Sequence, residues 1–190
     1  MISLHSSALK STKDRWAWGY NVYGGLGDGD YLNKWSPVSV VGGHSFTSII
    51  NNINFTNGLK VDGSAWAWGY GTAGRLGEGG AGSMSSPISV VGGHSFIEVA
   101  GLQNTSLALK ANGDVWAWGD NTNGQLGDNS KTTQASPVLV IGGHNFATLY
   151  YILTSAGMIL KISSIPWGDI SKVSGLAAAS ISKVASVSAV

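Results

Sequence analysis

Polar and apolar residues alternate in short runs along most of this chain, and the same runs return at a fixed interval. Pro37-Val38-Ser39-Val40-Val41 alternates and then stops at Gly42-Gly43. Leu59-Lys60-Val61, the pair Asp62-Gly63 and Ser64-Ala65-Trp66-Ala67-Trp68 read as a strand, a turn and a second strand. A period of two is the strand period, because successive side chains leave opposite faces of a sheet. Asp62-Gly63, and Asn112-Gly113 in the next copy, supply the positive φ angles of a tight hairpin. The first copy has Thr12-Lys13 there, a poorer turn. The two Trp of each Trp-Ala-Trp are two apart, which predicts that they share one face of a strand. Residues 1–150 predict no long helix.

The interval is 50 residues. Trp16-Ala17-Trp18-Gly19 recurs at 66–69 and 116–119, Ser36-Pro37 at 86–87 and 136–137, and Gly42-Gly43-His44 at 92–94 and 142–144. Leu26-Gly27 keeps the same register at 76–77 and 126–127. Exact spacing of four motifs is the mark of a repeat array, and a period near 50 points to propeller blades or a related solenoid. The copies run over about 5–54, 55–104 and 105–154, with a partial fourth from 155. Leu160-Lys161 and Trp167 match Leu109-Lys110 and Trp116 at a shift of 51.

Composition narrows the classes. Charged residues are 11% of 190, with Lys+Arg 11 against Asp+Glu 10, a net charge of +1. That is too little charge for a disordered chain and offers no basic patch for nucleic acid. The 28 glycines and 8 tryptophans suit tight turns between buried strands. Cysteine is absent, which excludes disulfides, thiolate catalysis and Cys-based zinc sites. No apolar run approaches the roughly 20 residues of a membrane span. Met1 to Lys10 lacks a basic region followed by an apolar stretch, so no secretory leader is expected.

Trp-Ala-Trp-Gly-Asp-Asn-Thr-Asn-Gly-Gln-Leu-Gly at 116–127 and Ala-Leu-Lys-Ala-Asn-Gly-Asp-Val at 108–115 resemble the regulator of chromosome condensation repeat family. The resemblance covers about residues 5–160 and implies four-stranded blades around an axis. The family's His-Ser-x-Ala-Leu stands once, at His5-Ser6-Ser7-Ala8-Leu9; later copies put Phe55 and Thr105 in the place of His5. The likeness is therefore to divergent bacterial or phage members. Family propellers have about seven blades, and rings run roughly from four to eight. Three copies are expected to form an incomplete or oligomer-completed all-β propeller.

On this reading residues 1–168 form the propeller-like domain and 169–190 a short docking tail. The tail is a second repeat of 11 residues, Ile170-Ser-Lys-Val173 and then Ile181-Ser-Lys-Val184. It resembles short repeats in phage structural proteins. An 11-residue period fits a helix bundle, whereas its Ser, Gly and Val content argues for extended packing; both readings stay open.

Each chemical candidate has a structural counterpart. His44, His94 and His144 recur once per copy, so they read as polar rings capping the turn after Gly-Gly. Asp28, Glu78 and Asp128 follow Leu-Gly and read as turn caps. Asp28-Gly29-Asp30 resembles the opening of a calcium loop but lacks its remaining acids. The Trp pairs read as packing between blades. No metal, cofactor or catalytic set is expected. A residue present in every copy builds the blade, so function is sought where copies differ. Tyr20, Tyr23, Tyr31, Trp35 and Tyr70 lie in such stretches and are the candidate partner-binding residues, with Ile170, Val173, Ile181 and Val184 of the tail. The expectation is a non-catalytic binding or assembly protein, most specifically a phage virion-associated structural or fibre component. Its partners would be copies of itself or neighbouring structural proteins. The alternative is an extracellular or cell-surface module that recognises protein or a cell-surface glycan. Nucleotide exchange on a small GTPase, as in eukaryotic family members, is disfavoured by the few blades.

Overall fold

The structure is a computed structural model and describes residues 5–149, eleven strands in chain order. They are β1 (His5–Leu9), β2 (Arg15–Gly19), β3 (Lys34–Ser39), β4 (Phe46–Asn51), β5 (Phe55–Lys60), β6 (Ala65–Gly69), β7 (Met84–Ser89), β8 (Glu98–Leu102), β9 (Thr105–Leu109), β10 (Val115–Gly119) and β11 (Gln134–Leu139). One 3₁₀ turn, Thr72–Gly74, is the only helical segment among the described residues. The partial fourth copy from 155 and the tail at 169–190 lie outside them.

The strands form three antiparallel sheets, β1-β2-β3, β4-β5-β6-β7 and β8-β9-β10-β11. The all-β, bladed expectation holds. The sheets are out of phase with the motif frame: the strand after Gly42-Gly43-His44-Ser45 belongs to the following sheet. The central hairpins keep one register, with Phe55 opposite Gly69 and Thr105 opposite Gly119.

The outer strand of each sheet departs from its sequence reading. Pro37 is expected to open it, yet β3 begins at Lys34. Ala17 pairs with Val38 and Gly19 with Lys34, so one residue on β2 faces three on β3. The same bulge recurs at Ala67–Gly69 and Ala117–Gly119. Proline cannot donate to a ladder, and a bulge on an edge strand leaves its nitrogen unrequired.

The core lies between the sheets. Leu59, Ala65, Phe96, Val99, Ala108 and Trp118 form one buried cluster; Phe55, Ala67 and Leu76 form another. Two inter-sheet junctions use the same contacts 50 residues apart. Trp68 Nε1 donates to the Gly25 carbonyl at 3.0 Å, and Trp118 Nε1 to the Arg75 carbonyl at 3.0 Å. The Thr56 and Ser106 hydroxyls donate to those same carbonyls at 3.1 and 2.9 Å. Gly27 and Gly77 admit the rings: a Cβ there would lie 2.7 and 2.6 Å from the indole nitrogens. A glycine in the Leu-Gly motif is therefore a packing requirement.

The histidines do more than cap a turn. His44 folds back over Gly42 and stacks on Trp66, centroids 4.2 Å apart, with Lys60 Nζ 4.0 Å from the ring. His94, Trp116 and Lys110 repeat the stack at 4.1 and 4.9 Å. Burial first, and the neighbouring lysine second, hold His44 and His94 below the usual imidazole range.

Candidate functional site

The loops between β2 and β3, β6 and β7, and β10 and β11 carry sequence differences, and side chains hold them in shape. In the first loop Asn21 Nδ2 donates to Asp28 Oδ1 at 2.9 Å and to the Asp30 carbonyl at 3.1 Å, while its Oδ1 accepts from the Leu26 amide at 2.9 Å. Lys34 reaches Asp28 and Asp30 at 3.2 and 2.6 Å. In the third loop Asn121 donates to Asp128 at 3.0 Å and accepts from the Leu126 amide at 2.9 Å. Asp28 and Asp128 thus serve as internal acceptors of their loops.

The second loop is built differently. Gly71 stands where the others have Asn, and the Gly82 carbonyl fills the space a Cβ would need. Glu78 has no amide partner of this kind; its carboxylate oxygens are buried without a hydrogen bond. Burial raises its pKa above the usual carboxylate range.

On these loops three of the predicted residues come together. Tyr20 and Tyr23 lie 6.2 Å apart by ring centroids, and Tyr23 and Tyr70 lie 4.4 Å apart across the junction between the first two sheets. The Arg75 guanidinium closes the row 4.7 Å from Tyr70. Arg75 is pinned from behind, Nε to the Thr72 carbonyl at 2.7 Å and Nη1 to the Gln103 carbonyl at 3.1 Å. Tyr31 is 46% exposed and donates its hydroxyl to the Ser83 carbonyl of the next loop at 3.1 Å. Leu32 beside it is 68% exposed. Trp35 does not join the row: it stands on β3, 94% exposed. Ile170, Val173, Ile181 and Val184 lie outside the described residues.

Two polar residues lie between the first two sheets, Arg15, which the motif reading missed, and His5, which it named. Arg15 is buried between the first two sheets, donating to the Leu26 carbonyl at 3.0 Å and to Asn51 Oδ1 at 2.9 Å, with its guanidinium 4.9 Å from the Trp68 ring. Burial lowers its pKa to about 9. His5 lies 3.4 Å from Thr56 Oγ1 and is lowered to about 4, by burial first and then by Arg15. The signal for Arg15 and Arg75 was in the sequence: Arg15 stands where the later copies have Ala65 and Val115, and Arg75 where the first and third copies have Gly25 and Gln125.

The surface is thus a row of half-buried tyrosines, with the buried Arg75 guanidinium against Tyr70. Among the described residues no group of three or more His, Cys, Asp or Glu is placed to hold a metal, and no helix is long and apolar enough to cross a membrane.

Residues 99–125 match the family model of the Regulator of chromosome condensation (RCC1) repeat. Human WBSCR16 superposes with a TM-score of 0.65 at 23% identity, over 73% of this chain and 37% of that one. Prp20p from Saccharomyces cerevisiae, characterised with its binding to Gsp1p and histones, gives 0.62 at 20% over 73% and 36%. Yeast RCC1 (Prp20) with Kap60 bound gives 0.63 at 20% over 73% and 35%. The fold is that of RCC1-like propeller blades. The chain spans a little over a third of the length of those structures. In a search of curated proteins nothing matched the sequence.

Proposed function

We propose that this chain is a non-catalytic recognition module whose partner docks on the Tyr20–Tyr23–Tyr70 row and the adjoining Tyr31 and Leu32. The row carries the reading, because Tyr20, Tyr23 and Tyr70 meet across the first junction while the third copy has Asp120 and Asn123 at the corresponding positions. Tyr is among the side chains that most often anchor protein interfaces, since it joins apolar area to a polar tip. The related blades of Prp20p bind Gsp1p and histones, which favours a protein partner.

The specific version is a virion-associated structural or fibre protein of a phage. Low charge, abundant Gly, the absence of Cys and the tail repeats favour it. The tail residues Ile170, Val173, Ile181 and Val184 then dock on a neighbouring structural protein. Mass spectrometry of purified particles from the source should find the chain at structural copy number. A glycan array should show no saccharide selectivity. Absence from particles, with selective saccharide binding that Tyr23→Ala removes, would replace this reading by an extracellular recognition module.

A further inference from the structure

Three loops built on one plan treat their acidic residue differently. In the first, Asp28 accepts from Asn21 Nδ2 at 2.9 Å and lies 3.2 Å from Lys34 Nζ. In the third, Asp128 accepts from Asn121 Nδ2 at 3.0 Å and from the Ser130 amide and hydroxyl at 3.0 and 2.9 Å. The second loop lacks each of those donors. Gly71, Met84 and Gly80 stand at the places of Asn21, Lys34 and Ser130. Both Glu78 carboxylate oxygens are nonetheless buried, and neither has a hydrogen-bond partner.

No charge compensates this carboxylate. The strands around the loop, β6, β7, β10 and β11, carry no titratable side chain. Arg75, on the loop itself, faces Tyr70 and Asp120. The first loop approaches through Gly29 and Tyr31, and its Lys34 is already paired with Asp28 and Asp30. On the third loop Asp128 is held by Asn121 and Ser130, and Lys131 is exposed. The amides of Glu78 and Gly80 favour the ionised form, but burial outweighs them and raises the pKa. An ionised carboxylate with neither partner nor water is costly where it lies, so it takes a proton or the loop lets water in.

The backbone just past Glu78 is built to move. Gly79, Gly80 and Gly82 fall in the short segment 79–83, so opening it returns backbone entropy. Gly79 N–H donates to the Ala135 carbonyl at 2.8 Å. The Ser83 hydroxyl accepts from the Gly71 amide at 3.3 Å, and the Ser83 carbonyl accepts from the Tyr31 hydroxyl at 3.1 Å. Earlier in the loop Ala73 is held at a left-handed φ of 62°, a region that Tyr23 and Asn123 of the sibling loops avoid. The second loop therefore combines an unpaired carboxylate, a strained residue and a glycine-rich segment, which is the make-up of a locally opening unit.

We infer that residues 79–83 form a pH-gated flap over Glu78, closed while the carboxyl is neutral and open once it ionises. The closed state binds the proton more tightly than the open, hydrated state. It is therefore favoured at low pH, and the preference is lost as pH rises. Opening releases Ser83 from Tyr31 and from the Gly71 amide beside Tyr70. The flap thus sets two tyrosines of the docking surface, closed and ordered in acid, loosened above it. That use rests on the docking reading; the motion itself does not.

Hydrogen exchange of the full chain tests the motion with no partner present. It is read by mass spectrometry on peptides spanning 77–84 and corrected for the intrinsic pH dependence of exchange. Segments 27–34 and 127–134 of the sibling loops are controls in the same sample. The parent should lose protection in 77–84 between about pH 5 and about pH 8, a range that a raised carboxyl pKa enters, while the controls do not change. Glu78→Gln removes the titration and puts a donor amide beside the loop's carbonyls, so 77–84 should stay protected throughout. Gly80→Ser installs the residue of the third copy, whose hydroxyl pairs the ionised carboxylate, and should also hold the flap closed throughout. Thermal melting shows that each variant is folded. Equal protection of the parent at both ends of the range would overturn the inference, as would a folded variant that keeps the parent's pH dependence. Because the exchange is read without a partner, its outcome stands whatever becomes of the docking reading.

Discussion

His5 shows how one residue is shaped by its neighbours. The resemblance makes it the family's own histidine, and the structure places it beside Thr56 and the buried Arg15. With the folded pKa lowered to about 4 from 6.5, the folded state holds the ring neutral. The unfolded chain binds a proton below about pH 6.5 and the folded chain only near pH 4. Stability from this site is therefore full above pH 6.5 and is lost as pH falls toward 4. His5→Phe, which installs the side chain the second copy carries as Phe55, removes that dependence. The stability difference between parent and variant should shift by about 1–2 kcal/mol between pH 7 and pH 4, after discounting for solvent at a half-buried ring. Denaturant titrations across the pH range read it, and a constant difference would contradict the assignment. Glu78 has the opposite sign: its raised pKa makes it a cost at neutral pH that lessens as pH falls.

At the scale of elements the hairpins carry the lesson. Strand, turn and strand were legible because Asp62-Gly63 and Asn112-Gly113 mark positions that need positive φ, and both glycines adopt it, at 81° and 85°. Lys13 adopts 67° at the poorer turn of the first copy, so the fold imposes the conformation on a residue that resists it. Lys13→Gly relieves the strain and should raise stability by about 1 kcal/mol, less the entropy the new glycine costs the folded chain. Chemical denaturation measures it; a loss of stability would mean that Lys13 does other work there. The bulge on β3, β7 and β11 was not legible, because alternation is blind to extra residues in an edge strand. The paired sheets were out of reach for a related reason. A motif frame marks the repeat but not the seam, and Phe46 sits one turn after a motif that ends one sheet and opens the next. The tyrosines were legible as members of loop stretches in which the three copies diverge; that Tyr23 meets Tyr70 and that Trp35 stands apart required the geometry.

For the molecule as a whole, one periodic junction explains why residues recur. A buried Trp removes a large apolar area from water, and its N–H must then find an acceptor. Gly25 and Arg75 supply carbonyls, and Gly27 and Gly77 supply room. Each motif of the repeat is thus one half of a contact completed by the neighbouring copy, which is the nearest-neighbour logic of repeat proteins. It follows that the equivalent tryptophans Trp68 and Trp118, each closed over by a neighbouring loop, should behave alike. Indole N–H exchange, followed by NMR on the ¹⁵N-labelled full chain, tests this most directly. Trp68 and Trp118 should exchange slowly and alike, and Trp35 fast. Trp68 and Trp118 exchanging as fast as Trp35 would contradict the account.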